Sequence, residues 1–155
     1  MNYWLLKSEP SSFSIEDLAR AARQSAAWDG VRNHQARNML RDDMKKGDQA
    51  FFYHSSCDIP GIAGIVTVVK EAYPDPTAFQ RGQHHYDKGS DPKNPRWFMI
   101  DVRLDRQFAR VVTLDELRAY AAGPLRNMIV LRKGNRLSVM PVTTSEWRFV
   151  LGLAS

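Results

Sequence analysis

Cysteine occurs once in this chain, at Cys57. A single thiol excludes an internal disulfide and any zinc site built from several cysteines, and it suits a reducing compartment. Long apolar runs are missing as well, since none approaches the roughly 18 residues of a transmembrane helix. The opening Met1-Asn2-Tyr3-Trp4-Leu5-Leu6 is apolar, but it meets Lys7 and Glu9 before the core of a signal peptide could form. The expectation is a soluble, cytoplasmic protein that makes no use of a membrane. Nor is there an internal repeat, a low-complexity tract or a linker, so the 155 residues are read as one domain over 1–155.

Catalytic signatures are equally scarce. His54-Ser55-Ser56-Cys57-Asp58 invites a nucleophile reading, but neighbouring side chains on a strand point to opposite faces, so His54 is poorly placed to activate Ser55. There is no G-x-S-x-G elbow. His84-His85 lacks a second ligand pair at metal spacing and reads as solvated loop. No catalytic residue, metal or cofactor is expected.

What the chain does have is positive charge and well-marked helix starts. A net charge of +5 and a pI near 9.6 favour a polyanionic partner, although charge alone does not identify one. Tyr3 to Leu6 reads as a buried first strand. Capping boxes begin at Ser14, Thr113 and Thr143, each with an acid three residues on. A second helix is expected from about Asn33 to Met44, with Ala36, Met39, Leu40 and Met44 inward and Arg37, Arg41 and Lys45 in an outer basic stripe. Strands are expected at Gln49–His54, Gly61–Val69, Arg96–Phe108 and Leu137–Met140. Tyr73 to Pro95, rich in proline, reads as a long loop of functional or mobile character. Short helices among strands without βαβ alternation argue an α+β fold with a curved or closed sheet.

The densest segment is Trp28-Asp29-Gly30-Val31-Arg32-Asn33. It sets an aromatic plane beside an amide and guanidinium groups, as a nucleobase site requires; Trp28 also fits a core role. Together with Tyr3 through Pro10, Phe52 through Ser56, Gly61 through Ile65, Pro95 through Val102 and Arg136 through Trp147, this segment resembles the EVE domain family over essentially the whole chain. The resemblance implies a PUA-like β-barrel, a pseudo-barrel of five to six strands flanked by short helices, similar to YTH and ASCH domains. It further implies a non-catalytic module that recognises a modified base, such as modified cytosine or a methylated base, in DNA or RNA.

By that resemblance Trp28 takes the place of a cage tryptophan, with Asn33 at the base edge. Lys7 and Ser8 follow the first strand: the lysine would meet phosphate and the serine the base, unless they serve the turn. Ser55 is expected at the pocket rim. Tyr73 is either an aromatic lid or a loop anchor, and Trp97 either a pocket wall or core. Leu137 and Ser138 would close the site. Arg32, Arg37, Arg41 and Arg136 are the candidate phosphate ligands. The rival readings are a sensor of a small molecule or nucleotide metabolite and, further off, a nucleotide-processing hydrolase.

Overall fold

The computed structural model describes residues 1–155. Six strands are present: β1 Tyr3–Ser8, β2 Ser25–Trp28, β3 Gln49–His54, β4 Gly61–Pro74, β5 Phe98–Thr113 and β6 Val139–Val142. They form one mixed sheet in the order β2-β5-β4-β3-β1-β6. β1 and β3 run parallel, and every other pairing is antiparallel. The two end strands, β2 and β6, do not pair, so the sheet is not closed and an open seam separates its edges. The strand number matches the expected five to six, and the seam is where the barrel stops short.

The sheet is buried on both faces. Trp4, Leu6, Ala50, Phe52, Val66, Val68, Ile100 and Val102 point to one side. They pack there with Ile15 and Leu18 of α1 (Ile15–Arg20) and with Ala36 of α2 (His34–Asn38). Leu5, Phe51, Tyr53, Ile62 and Ile65 point to the other. They meet Leu117 of α3 (Leu114–Arg118) and the apolar stripe of α4 (Thr144–Ala154). This two-sided burial explains why β1 and β3 are nearly continuous apolar runs rather than alternating ones. Trp147 of α4 stacks between Tyr3 and Phe51, with ring centroids 4.4 and 4.0 Å away, and so fastens the last helix to the second core.

The caps fall where the sequence marks them. Ser14 and Thr143 form complete capping boxes with Asp17 and Glu146. Thr113 caps through Glu116 N, but the Glu116 carboxylate is drawn off by Arg110 at 2.7 Å, so the box is not completed. The expected helix over 33–44 is present in two parts. The α2 turns give way to a wider π-helical stretch, Met39–Asp43, closed by Met44 N donating to Met39 O. β2 was not anticipated: Ser-Ala-Ala-Trp has little strand propensity, and it is held by its pairing with Ile100–Arg103 of β5. Strands β4 and β5 run well past their expected ends, with several bulges between them. At one of these Gly64 has no room for a side chain, because a β-carbon there would collide with Arg106 O and with Ile15 of α1.

One buried carboxylate ties the start of the sheet together. Asp48 accepts from the Trp4 indole at 3.0 Å, from Asn2 N at 3.1 Å and from Lys45 N at 3.0 Å. Asp48→Ala should strand the buried Trp4 N–H and cost about 1–3 kcal/mol, read as a lower melting temperature, with the native circular dichroism spectrum retained.

Candidate nucleic-acid interface

A cleft of roughly 860 Å³ opens at the seam. One wall is the edge of β2 (Ala26, Ala27, Trp28) and the turn Asp29–Val31. Facing it are Lys7 and Ser8 at the end of β1, Ser55 and Ser56 after β3, and Arg136 and Ser138 before β6. Glu9, Ser12 and Phe13 continue the β1 side, and His84 and His85 of the long loop complete the rim.

The turn after Trp28 is held by Asp75, whose side chain is wholly buried. Its carboxylate accepts four hydrogen bonds: Gly30 N at 2.9 Å, Arg32 Nη1 at 3.0 Å, Thr77 N at 2.9 Å and Thr77 Oγ1 at 2.6 Å. Burial pushes this carboxyl up, but the donors from Thr77, Gly30 and Arg32 prevail and hold it below the usual carboxylate range. Arg32 then reaches on, donating through Nε and Nη2 to the His85 carbonyl at 3.0 and 2.6 Å. The result draws the loop onto Gly30. That residue has φ +77°, and any β-carbon there would lie 2.5 Å from the His85 ring.

Trp28 is buried at 7 % exposure and packs edge-on against Phe52 at 5.3 Å. It belongs to the first core, and only a small part of its indole reaches the cleft. The indole N–H donates to no protein acceptor, yet it is not sealed from the surface. Beside it Asp29 is exposed to the cleft, and its carboxyl is pushed up by partial burial and by the nearby Asp75 charge. Across the cleft, burial pushes the Lys7 ammonium down, and that side chain lies over the Tyr53 ring at 5.8 Å. Ser8 Oγ donates to Phe13 O at 2.6 Å, which shapes the turn after β1. Ser56 adopts φ 52°, a left-handed conformation uncommon for serine that lifts the chain at the cleft rim.

Of the residues proposed from sequence, the cleft brings together Lys7, Ser8, Trp28, Ser55, Arg136 and Ser138. The others have different partners. Asn33 Oδ1 caps α2 by accepting from Ala36 N at 2.9 Å, which leaves only its Nδ2 donors free, and it does not line the cleft. Tyr73 is not a lid: its hydroxyl donates to Asp101 at 2.5 Å and its ring carries the Lys70 ammonium at 4.0 Å. Trp97 is buried away from the cleft. It donates to Asp87 and lies under the guanidinium groups of Arg32 and Arg37 at 5.6 and 5.9 Å. Arg32 belongs to the Asp75 hub rather than to a phosphate site. Arg37 donates to Arg96 O at 2.6 Å and Arg41, in the π-helical stretch, pairs with Asp42 at 2.8 Å, so both arginines of the expected stripe are engaged in local contacts while Lys45 is not. Leu137 faces a second groove.

Asp29 and Phe13 were not singled out from sequence, and His84-His85, read there as solvated loop, lines the cleft. Asp29 was legible inside its own motif as a carboxylate beside the tryptophan. The histidines carried no local signal, because only the Arg32 clamp brings them to the cleft. No Ser–His pair is assembled: His54 Nε2 already accepts from Ile15 N at 3.1 Å, satisfying a free amide at the start of α1.

The EVE domain family model matches residues 2–153. This chain belongs to the EVE family. It is 48 % identical over 167 residues to human thymocyte nuclear protein 1, covering 98 % of this chain and 73 % of that one. Among solved structures it resembles human THYN1 in complex with DNA containing 5-methylcytosine, with a TM-score of 0.95 and 48 % identity over 100 % of this chain and 98 % of the other. A Pseudomonas putida protein superposes with a TM-score of 0.93 at 48 % identity, covering 99 % of each chain. The open six-stranded sheet with short helices is thus the PUA-like fold of an EVE domain.

Burial holds the His54 imidazole below its ordinary value. The unfolded chain's histidine takes up a proton near pH 6.5 while folded His54 resists, so the unfolded state binds more protons and stability falls as the pH drops below about 6.5. Denaturant melts from pH 7.5 to 5 should show a steeper loss in the native protein than in His54→Gln. Parallel curves would mean that His54 does not contribute to the slope.

Proposed function

We propose that the seam cleft receives a modified cytosine presented by a nucleic acid strand, and that it does so without chemistry of its own. The observation that carries the reading is the pairing of a free Trp28 N–H with the Asp29 carboxylate on one wall. Cytosine offers an exocyclic amine that donates, beside a ring nitrogen and a carbonyl that accept. A carboxylate is the natural acceptor for that amine, and an indole N–H is a donor only. Thymine reverses the first two of these roles and would leave both protein groups mismatched. Phe13, Ala26 and Ala27 supply apolar surface against which a 5-methyl group can rest. Lys7 and Arg136 stand at the rim, ready for phosphate.

The relative whose complex holds DNA with 5-methylcytosine shares this fold along the whole chain, which supports a base of the same class here. A base within a duplex cannot reach such a cleft while stacked, so the target is extruded or single-stranded at the moment of binding. Trp28 contributes as a hydrogen-bond donor and a piece of the wall, not as a stacking platform.

Two variants test this. Trp28→Phe keeps most of the core packing but removes the N–H, and should weaken binding of a 5-methylcytosine oligonucleotide about 3- to 10-fold, in line with one lost hydrogen bond. Asp29→Ala, at an exposed position, should erase about 1–3 kcal/mol of preference for 5-methylcytosine over thymine. Trp28→Ala is the less informative change, since emptying a core site costs roughly 3–5 kcal/mol of stability. Unaltered affinity and base preference in both informative variants would reject the cleft as the base site. If the free nucleotide competes as strongly as the oligonucleotide, whatever the salt, the protein is a metabolite sensor instead.

A further inference from the structure

A second groove, of roughly 580 Å³, lies against the same stretch of chain that walls the cleft. Along residues 135–138 the side chains alternate: Arg136 and Ser138 face the cleft, while Asn135 and Leu137 face the groove. The groove floor is apolar, made by Trp4, Met39 and Pro141, with Arg132 and Lys133 at its edge. The Trp4 indole N–H is already spent on Asp48 at 3.0 Å. What the tryptophan presents is therefore surface without a directed donor.

The charges decide what such a groove would hold. Six arginines are paired with acids, and of the nine that form no ion pair only Arg132 and Arg136 line the groove or the cleft. Arg132, Lys133 and Arg136 are exposed, and none takes part in an ion pair or a side-chain hydrogen bond. Three uncommitted cations within five residues, set between two concavities, form a positive ridge, and Asp43 is the lone acid lining the groove.

We infer that this ridge carries the phosphates of the strand whose modified base occupies the cleft, and that the groove takes the adjoining nucleotide. The inference rests on the reading of the cleft as a base site. An apolar floor accepts the face of any base, so the groove adds affinity, and the unpartnered Gln35 amide at its lining is placed to meet a base edge. The phosphate track accordingly runs over the segment 132–136 and not along the outer face of α2, where the arginines are already engaged.

The test uses the full chain and two probes, a nine-nucleotide single strand with central 5-methylcytosine and the free nucleoside 5-methyl-2′-deoxycytidine. In the double variant Arg132→Ala/Lys133→Ala, affinity for the nonamer should fall about tenfold at low salt, and the slope of log affinity against log salt should flatten by about 1–2. Nucleoside binding, followed by nuclear magnetic resonance titration, should be unchanged, as should the melting temperature. An abasic site next to the methylated base, tried on each side, should weaken wild-type binding about tenfold on one side only. Unchanged nonamer affinity in the double variant, with the nucleoside still bound, overturns the ridge and groove while leaving the cleft reading intact. Failure of both probes on the wild-type protein overturns the cleft reading and this inference with it. An acidic peptide that displaces the nonamer from the wild type and not from the double variant, at equal affinity, would assign the ridge to a protein partner and overturn the inference as well.

Discussion

The cleft exists because one carboxylate is buried with four donors around it. Asp75 lies far along the chain from the Trp28–Arg32 turn, yet it fixes Gly30, Arg32 and Thr77 at once. An isolated buried charge would be costly, and here the guanidinium and the amides compensate it. Through Arg32 the same hub reaches the His85 carbonyl and pulls the long loop against the edge of β2. A surface loop, by itself mobile, thereby becomes a wall of the site. Trp28 and Asp29 inherit their positions from a contact neither of them makes.

The fold was legible wherever local chemistry and tertiary packing agree. The Ser14 and Thr143 boxes close as their spacing indicates, and β3 begins and ends where its apolar run does. β2 was illegible because Ser25–Trp28 is a strand only by virtue of β5. The extensions of β4 and β5 were hidden by polar residues such as Lys70, which pairs with Asp101 while remaining outside either core. At the site, six proposed residues do converge, since the resemblance and the strand ends both point to the seam. Trp97 and Arg32 illustrate the opposite outcome. Each has the right chemistry for a nucleobase or phosphate, and each has that chemistry absorbed by a partner elsewhere in the chain. Sequence records what a side chain is able to bind, while the fold decides whether that capacity is already used.

Viewed this way, the useful quantity at a candidate interface is the set of polar groups left over. The Trp28 N–H, the Asp29 carboxylate and the cations of Lys7, Arg132, Lys133 and Arg136 have no ion-pair partners within the chain. These residues gather around the unpaired margin of one sheet.

The failure of β2 and β6 to pair has a mechanical meaning. In a closed barrel, admitting a planar ring would require breaking rungs of a hydrogen-bonded ladder, and the whole sheet would resist. Here the two lips of the opening share no ladder at all, so parting them disturbs side-chain contacts and loop anchors but no strand pairing. The sheet can stay stiff, with both cores intact, while its margin yields by the width of a guest.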